Sequence, residues 1–566
     1  MTNVPTLPTL NGELRLEDAL QGDDNVLPRL KYAKLKEQFW NSLAARKDDI
    51  EALVCRQLGV NWCQLRIMRF WKSGSFNVVI PILLANGEAV HLRIPLPYKV
   101  GEECRPGNVE EKLRCEIATY LWIEQHCPDV PIPRLHAFGL PDGSTFTHPS
   151  NTPFLRNQPG TYADGYTVYS VVRAAKGDML VMSWEQHRHD QLFRQRLFRD
   201  LARITLSMNR IPLPRIGSLS FNSDGIITLS NRPLNLHLQM YENEGIPAGI
   251  PRNRTYSAIE GYISDLLSFQ DNKVLHQPNS IHSTSDGQMQ LAALTALRAI
   301  MHHFIKPEFR EGPFYLTHTD LHGGNIFVDK NWNISTIIDL EWAQSMPIEM
   351  QLPPYWLTSR AVDCFEDKEA VSEYDILLRE YLDVYETEEK KHGDYALQAN
   401  VKRDVWNNGG FWYFQALLIP KGMYNIFERH VQPLFNKEHS EQSIFEKVFF
   451  WYWGFGAQTV IEKKIKDEED YVMEVKEAFG VTNESETSEP NDTESASQGD
   501  ADAIVVIEQE EEYKIGYDTS TDESGTGIGV SEKMHMTEVD GGAMNGVSTD
   551  ANTAEVERRV TTPNEE

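Results

Sequence analysis

The chain has 566 residues, more than one packed core holds before a protein divides at roughly 250–300 residues, so two or more packing units are expected. Its net charge of −29 gathers at one end: residues 481–566 hold 22 acidic and 4 basic side chains, a net −18, leaving −11 for residues 1–480. A mildly acidic body without a basic stripe excludes a nucleic-acid partner. Cys55, Cys63, Cys104, Cys115, Cys127 and Cys364 form no CxxC pair and read as reduced thiols of a cytoplasmic protein. No apolar run reaches the ~20 residues of a membrane helix, so no membrane partner is expected. No secretory signal stands at the start of the chain.

In chain order, residues 28–60 read as helical. From 70 to 140 the pattern turns to strands. Asn86-Gly87 between an apolar run and an alternating run predicts a hairpin. In its second strand Val90, Leu92 and Ile94 share one face, and Ala89, His91 and Arg93 the other. Residues 109–126 predict a helix with Leu113, Ile117, Tyr120 and Leu121 in one stripe and Glu116 beside it. Pro131 and Pro133 mark a chain leaving that helix for an edge strand. Residues 161–180 read as a further strand and a crossing segment containing Gly177, and 181–310 as mostly helical. After 360 the chain is helical and aromatic. Phe411, Trp412, Tyr413 and Phe414, with Trp451, Tyr452 and Trp453, are expected mostly in the core. From 479 on, periodicity is lost to Ser, Thr, Glu, Asp, Gly and Asn, a composition that cannot bury enough apolar surface to order itself. This is a disordered acidic tail, in which AIVVI at 503–507 is a candidate docking element for a protein partner.

One stretch concentrates polar groups between apolar runs: LTHTDLHGGNIFVD at 316–329, followed by IIDLEW at 337–342. FYLTH reads as a strand, DLHGG as a loop, NIFVD and ISTIIDL as two more strands. Asp320, Asn325 and Asp339 then lie at strand ends and converge. Phosphoryl transfer from ATP needs such a set: one carboxylate to orient the attacking hydroxyl and accept its proton, and a second carboxylate with an amide oxygen to hold Mg²⁺ against the phosphates. Asp320 fits the base, and Asn325 and Asp339 the metal ligands. His318 and His322 imitate an HxxxH zinc pair, but a glycine-rich loop does not give the single helix face that zinc pair needs.

These motifs, with LRIP, CEIATY, VPIPRL, LPPYWLT and GGFWYF, resemble the aminoglycoside phosphotransferase and choline kinase-like family of the protein-kinase-like fold. The likeness is strongest to fungal proteins with an aminoglycoside-phosphotransferase domain, and it spans roughly 65–465. It implies an α+β, bilobal fold: a small antiparallel β-sheet lobe and a larger, mostly helical lobe. The boundaries expected are 1–64 for a helical extension, 65–175 for the nucleotide lobe, 176–478 for the catalytic and acceptor lobe, and 479–566 for the tail. By resemblance His318 braces the catalytic loop beside Asp320, and Glu341, two residues after Asp339, is the second acidic position of the group. Glu116 pairs with the phosphate-binding cation, and Ser73-Gly74-Ser75 forms the turn over the phosphates. Two departures stand out. Arg93 occupies the place of the usual strand lysine, with Lys99 and Lys112 as rivals, and the turn has one glycine. The implied activity is ATP-dependent transfer of the γ-phosphoryl group to a small-molecule hydroxyl. A catalytically silent binding protein is the alternative. A protein kinase is disfavoured, because the segment after Asp339 lacks D-F-G and A-P-E.

Overall fold

The structure, a computed structural model, describes residues 5–10, 12–147, 155–157, 169–222, 225–393, 397–436 and 442–481. The acidic tail with its AIVVI island lies, from residue 482 on, outside the described residues.

The hairpin expected at Asn86-Gly87 forms between strands Asn77–Leu84 and Ala89–Pro95. Gly87 takes φ +82°, a left-handed conformation open to glycine at no steric cost, and donates its N–H to the Leu84 carbonyl. Around this pair an eight-stranded antiparallel sheet runs in the order Cys63–Leu65, Asn77–Leu84, Ala89–Pro95, Tyr169–Arg173, Leu135–Gly139, Thr145–Thr147, Leu155–Asn157, with Lys72–Ser73 beside Asn77–Leu84. Leu135–Gly139 is therefore not the edge strand its prolines suggested. Pro131 and Pro133 precede the ladder, so their missing N–H groups cost it no bond.

Both faces of the sheet are covered. On one, Val78, Ile80, Val90 and Leu92 pack against Leu43, Ile50 and Val54 of the helices Val26–Ala45 and Lys47–Leu58. On the other, Leu113, Ile117 and Tyr120 of the helix Asn108–His126 pack with Phe138, Phe146 and Val172. The face that carries Arg93 meets this second helix, which is what buries a guanidinium beside Glu116.

The C-terminal part is helical, and Phe411, Trp412, Tyr413 and Phe414 are buried in its main core. Trp451 and Tyr452 are not: they are 56% and 77% exposed. The run leaves its helix at Phe449 and passes through a single 3₁₀ turn, Phe450–Tyr452, that turns only Phe450 inward; Gly456 at φ +78° then starts the next helix. Trp453 is half-buried and donates to Asp271 Oδ1 at 2.7 Å.

Two short antiparallel units sit within this helical part. Phe314–His318 pairs with Ala343–Pro347, and Ile326–Val328 lies between Asp178–Met179 and Ile334–Ile337. A third pair, Ser218–Phe221 with Ile227–Asn231, interrupts the stretch expected to be helical. Gly177, at φ +90°, lets the crossing segment pass close to the second unit; a Cβ there would lie 2.4 Å from the Val328 carbonyl oxygen. All six cysteines are free thiols. Among the described residues no helix is long and apolar enough to cross a membrane.

Candidate active site

The strand Phe314–His318 ends where the loop begins, with His318 opposite Ala343. Several contacts fix the loop. Thr319 Oγ1 donates to the Trp342 carbonyl at 2.6 Å, Trp356 Nε1 to the Leu321 carbonyl at 2.7 Å, and the Val181 N–H to the Gly323 carbonyl at 3.2 Å. Asn325 is buried; its Nδ2 donates to the Asp320 carbonyl at 2.9 Å and lies 3.3 Å from Asp320 Oδ2. Asp320 itself keeps 21% of its side chain exposed, within reach of a solute.

Asp339 is tied to this loop through its neighbour. The Ile338 N–H donates to the Asn325 carbonyl at 3.0 Å, and the Ile338 carbonyl accepts from His318 Nε2 at 3.0 Å. His318 is buried, and burial lowers its proton affinity, so it is the neutral imidazole that braces loop to strand end. His322 stays within the loop: its Nδ1 accepts the Gly324 N–H, its Nε2 lies 3.2 Å from Asn325 Nδ2 and 3.7 Å from Asp320 Oδ1, and burial pushes it down to about 4. The two histidines share no ligand position. Asp339 adopts φ +59°, ψ +59°. For a non-glycine residue this costs about 1–3 kcal/mol and persists only where the surroundings enforce it.

What enforces it is a buried ionic cluster. Arg93 donates through Nη1 to Asp339 Oδ1 at 2.5 Å and through Nη2 to Glu341 Oε2 at 2.8 Å, with Glu116 Oε1 3.3 Å from Nη2. Lys112, one turn before Glu116, places Nζ 3.1 Å from Glu341 Oε2 and 3.0 Å from Asn77 Oδ1. Asn77 Nδ2 in turn donates to both Glu341 oxygens, at 3.1 and 3.0 Å. Phe76 packs edge-on against Trp342. Arg93 thus stands between the helix carboxylate and Asp339. Lys112 serves Glu341 from behind, and the third rival, Lys99, lies over the Tyr32 ring. Asn77 and the grip of Lys112 on Glu341 were missed in sequence; a lone amide heading the apolar strand NVVIPILL was the available signal.

Two cations face three carboxylates here, a surplus of one negative charge. Burial alone would push Asp339 up, but the Arg93 guanidinium, helped by Lys112, holds it below the usual carboxylate value. Glu116 goes the other way: burial raises it, and Arg93 only partly offsets that. Arg93 Nε, Glu116 Oε1 and the Tyr120 hydroxyl are buried without a hydrogen bond. Ser73, Gly74 and Ser75 lie at the rim next to Asn77, with the Gly74 N–H donating to the Asn77 carbonyl. Gly74 has an ordinary φ, and a Cβ there would lie 3.8 Å from the Asn77 carbonyl oxygen, so no steric demand for glycine exists in this conformation.

Among the described residues no three His, Cys, Asp or Glu side chains form a metal cage. Mg²⁺ does not need one; it binds through one or two carboxylates with substrate phosphates and water. Asp339, 31% exposed, and Asn325, whose amide nitrogen is spent on Asp320, offer hard oxygen donors beside an anionic surplus. The donor set fits the ion.

The sequence model of a phosphotransferase enzyme family matches residues 87–387. Solved structures with similar folds include the ADP-bound aminoglycoside phosphotransferase APH(2'')-Ib, at 11% identity and TM-score 0.37, covering 77% of this chain and 99% of that one. An ethanolamine kinase of Plasmodium vivax matches at 12% and 0.31, over 71% and 84%. The amicoumacin kinase hAmiN, in complex with AMP-PNP and Ca²⁺, matches at 14% and 0.36, over 76% and 96%. No curated protein matches the chain.

Proposed function

The chain belongs to that phosphotransferase enzyme family, and on this premise we propose that it transfers the γ-phosphoryl group of ATP to a hydroxyl of a small molecule. Asp320 accepts the acceptor's proton as the oxygen–phosphorus bond forms and the bond to the β-phosphate oxygen breaks, releasing ADP. Asn325 holds Asp320 in place and, with Asp339, ligates Mg²⁺, which supplies charge neutralisation at the phosphates when bound. Arg93, forked and permanently charged, steadies the phosphates. Glu116 and Glu341 hold Arg93, and Ser73, Gly74 and Ser75 cover the nucleotide. Domain limits of 65–175 for the nucleotide part and 176–478 for the catalytic part belong to the same proposal.

The observation that carries the reading is Arg93 bridging Glu116 and Asp339 beside the pair of Asp320 and Asn325. The test is phosphate transfer from ATP across a panel of hydroxylated small molecules, with Asp320→Ala as control. Acceptor-dependent ADP release lost in the variant supports it; identical release by both proteins refutes it. One feature favours the silent alternative: Arg93 already takes an oxygen of Asp339. A protein that binds ATP yet turns over no acceptor fits that alternative.

A further inference from the structure

The helix Asn108–His126, which brings Lys112 and Glu116 to the candidate site, is gripped on a different face by a second buried ionic cluster. Its centre is Arg232, 3% exposed and some 120 residues on in the chain. Arg232 donates Nε and Nη2 to the two oxygens of Glu111, each at 2.8 Å. It donates Nη1 and Nη2 to the two oxygens of Glu242, at 2.8 and 2.9 Å, and its last N–H to the Ile250 carbonyl at 3.0 Å. All five guanidinium donors are used. Glu111 also accepts from Asn231 Nδ2 and Arg252 Nε, and Glu242 accepts from Asn108 Nδ2. Arg252 further bonds Asn108 Oδ1 at 2.8 Å. The cluster holds two arginines and two glutamates, and none of their side-chain atoms is buried without a partner.

Glu111 and Lys112 are consecutive, about 100° apart on the helix. One faces Arg232 and the other faces Glu341. We propose that Arg232 is a positioning residue for the nucleotide site: the clamp formed with Glu111 and Glu242 fixes the rotation and height of the helix, and so sets Lys112 and Glu116 against Glu341 and Arg93. The inference rests on the functional reading above. Residues 231–252 supply the clamp and reach the helix directly through Glu111 and Asn108; a second link, from the Leu234 N–H to Ser218 Oγ and on to the Ala343 carbonyl, supports the strand beside Glu341. A lysine at 232 keeps the charge but presents a point ammonium with three donors, which cannot fork onto two carboxylates. The clamp floors a solvent-open groove of 450 Å³ lined also by Cys104, Arg105 and Arg252, so water can enter when the fork is lost.

The test uses the full chain and titrates Mg²⁺-ATP into Arg232→Lys, Arg252→Ala and a control, Arg194→Lys. The control disturbs an ion pair with Glu380 away from the helix. Arg252 is 44% exposed and its loss should leave the fold intact. The expected result is affinity weakened about tenfold in R232K, severalfold in R252A and unchanged in R194K, with the loss in KM for ATP and not in kcat at saturation. Folded R232K and R252A proteins that bind ATP like the parent overturn the proposal. If the parent binds no ATP, the functional reading falls and the clamp is decided by hydrogen exchange at residues 112–116. Faster exchange in R232K than in R194K supports it; equal exchange overturns it.

Discussion

Two buried ionic clusters sit on different faces of one helix, and they are built differently. Around Arg232 two cations meet two carboxylates and none of their buried side-chain donors or acceptors lacks a partner. Around Arg93 two cations meet three carboxylates, Arg93 Nε and Glu116 Oε1 make no hydrogen bond, and Asp339 is held at a left-handed φ. Burying charge is tolerable when pairing is complete, and a half-satisfied network costs more than an apolar core. The first cluster needs nothing further to be stable. The second has a surplus of negative charge, partly open at Asp339, that a divalent cation with phosphates would complete. Local rules of pairing are the ones that functional sites break, which accords with the role proposed for the second cluster.

The largest effect should come from the incomplete side. Asp320→Ala is expected to lower kcat by ~10²–10⁴ with little change in Tm, measured as ADP release with acceptor. Next is the complete side: Arg232→Met leaves Glu242 buried without a cation and Glu111 with Arg252 alone, and should cost about 3–5 kcal/mol in urea unfolding of the full chain. Glu116→Gln sharpens the contrast. Because burial raises the Glu116 carboxyl, neutralising it should leave Tm level or raise it, while ATP affinity falls; a fall in Tm like that of R232M would erase the distinction between the two clusters. The smallest effect is at the rim, where Gly74→Ala should change stability by under about 0.5 kcal/mol, since neither space nor φ resists a Cβ there.

The acid response separates the two carboxyls by sign. Asp339 is held below its ordinary value, so its stabilising contribution is present above the unfolded value and is lost as pH falls through the lowered one. Glu116 is raised, so the folded state favours its protonated form: its contribution is full below the unfolded value and lost as pH rises through the raised one. Stability measured between pH 3 and 7 should therefore rise less steeply with pH in Asp339→Asn than in the parent, and more steeply in Glu116→Gln.

How much of this was legible beforehand follows the same division. The hairpin at Asn86-Gly87 and the helix carrying Glu116 showed in sequence because turn chemistry and a 3.6-residue stripe are local signals. The stretch from His318 to Asp339 showed as polar residues set between apolar runs, and the structure brings its loop and strand ends together through the Ile338 N–H and the Asn325 carbonyl. The family match agrees with the α+β fold and phosphotransferase class read from it. The clamp was invisible: Glu111 and Arg232 look like solvated charges until the strand pair Ser218–Phe221 and Ile227–Asn231 brings them together. That pair was itself missed, since short strands rich in Ser and Thr carry little hydrophobic period. Asn77, and Lys112 as the partner of Glu341 where the sequence offered it only as a rival to Arg93, are choices of tertiary packing that leave little local signal. Trp451 and Tyr452 misled because aromatic content suggests burial, whereas the helix ends before they can turn inward.

The central claim is that the cluster of Arg93, Glu116, Glu341 and Asp339 is the nucleotide end of a phosphotransferase site. Calorimetric titration of ATP into the full chain, with and without Mg²⁺, tests it most directly, alongside Asp339→Asn, a substitution that tolerates the left-handed φ. Mg²⁺-dependent binding in the parent, lost in the variant, is the result predicted. No binding in either condition, or equal binding by both proteins, would contradict it.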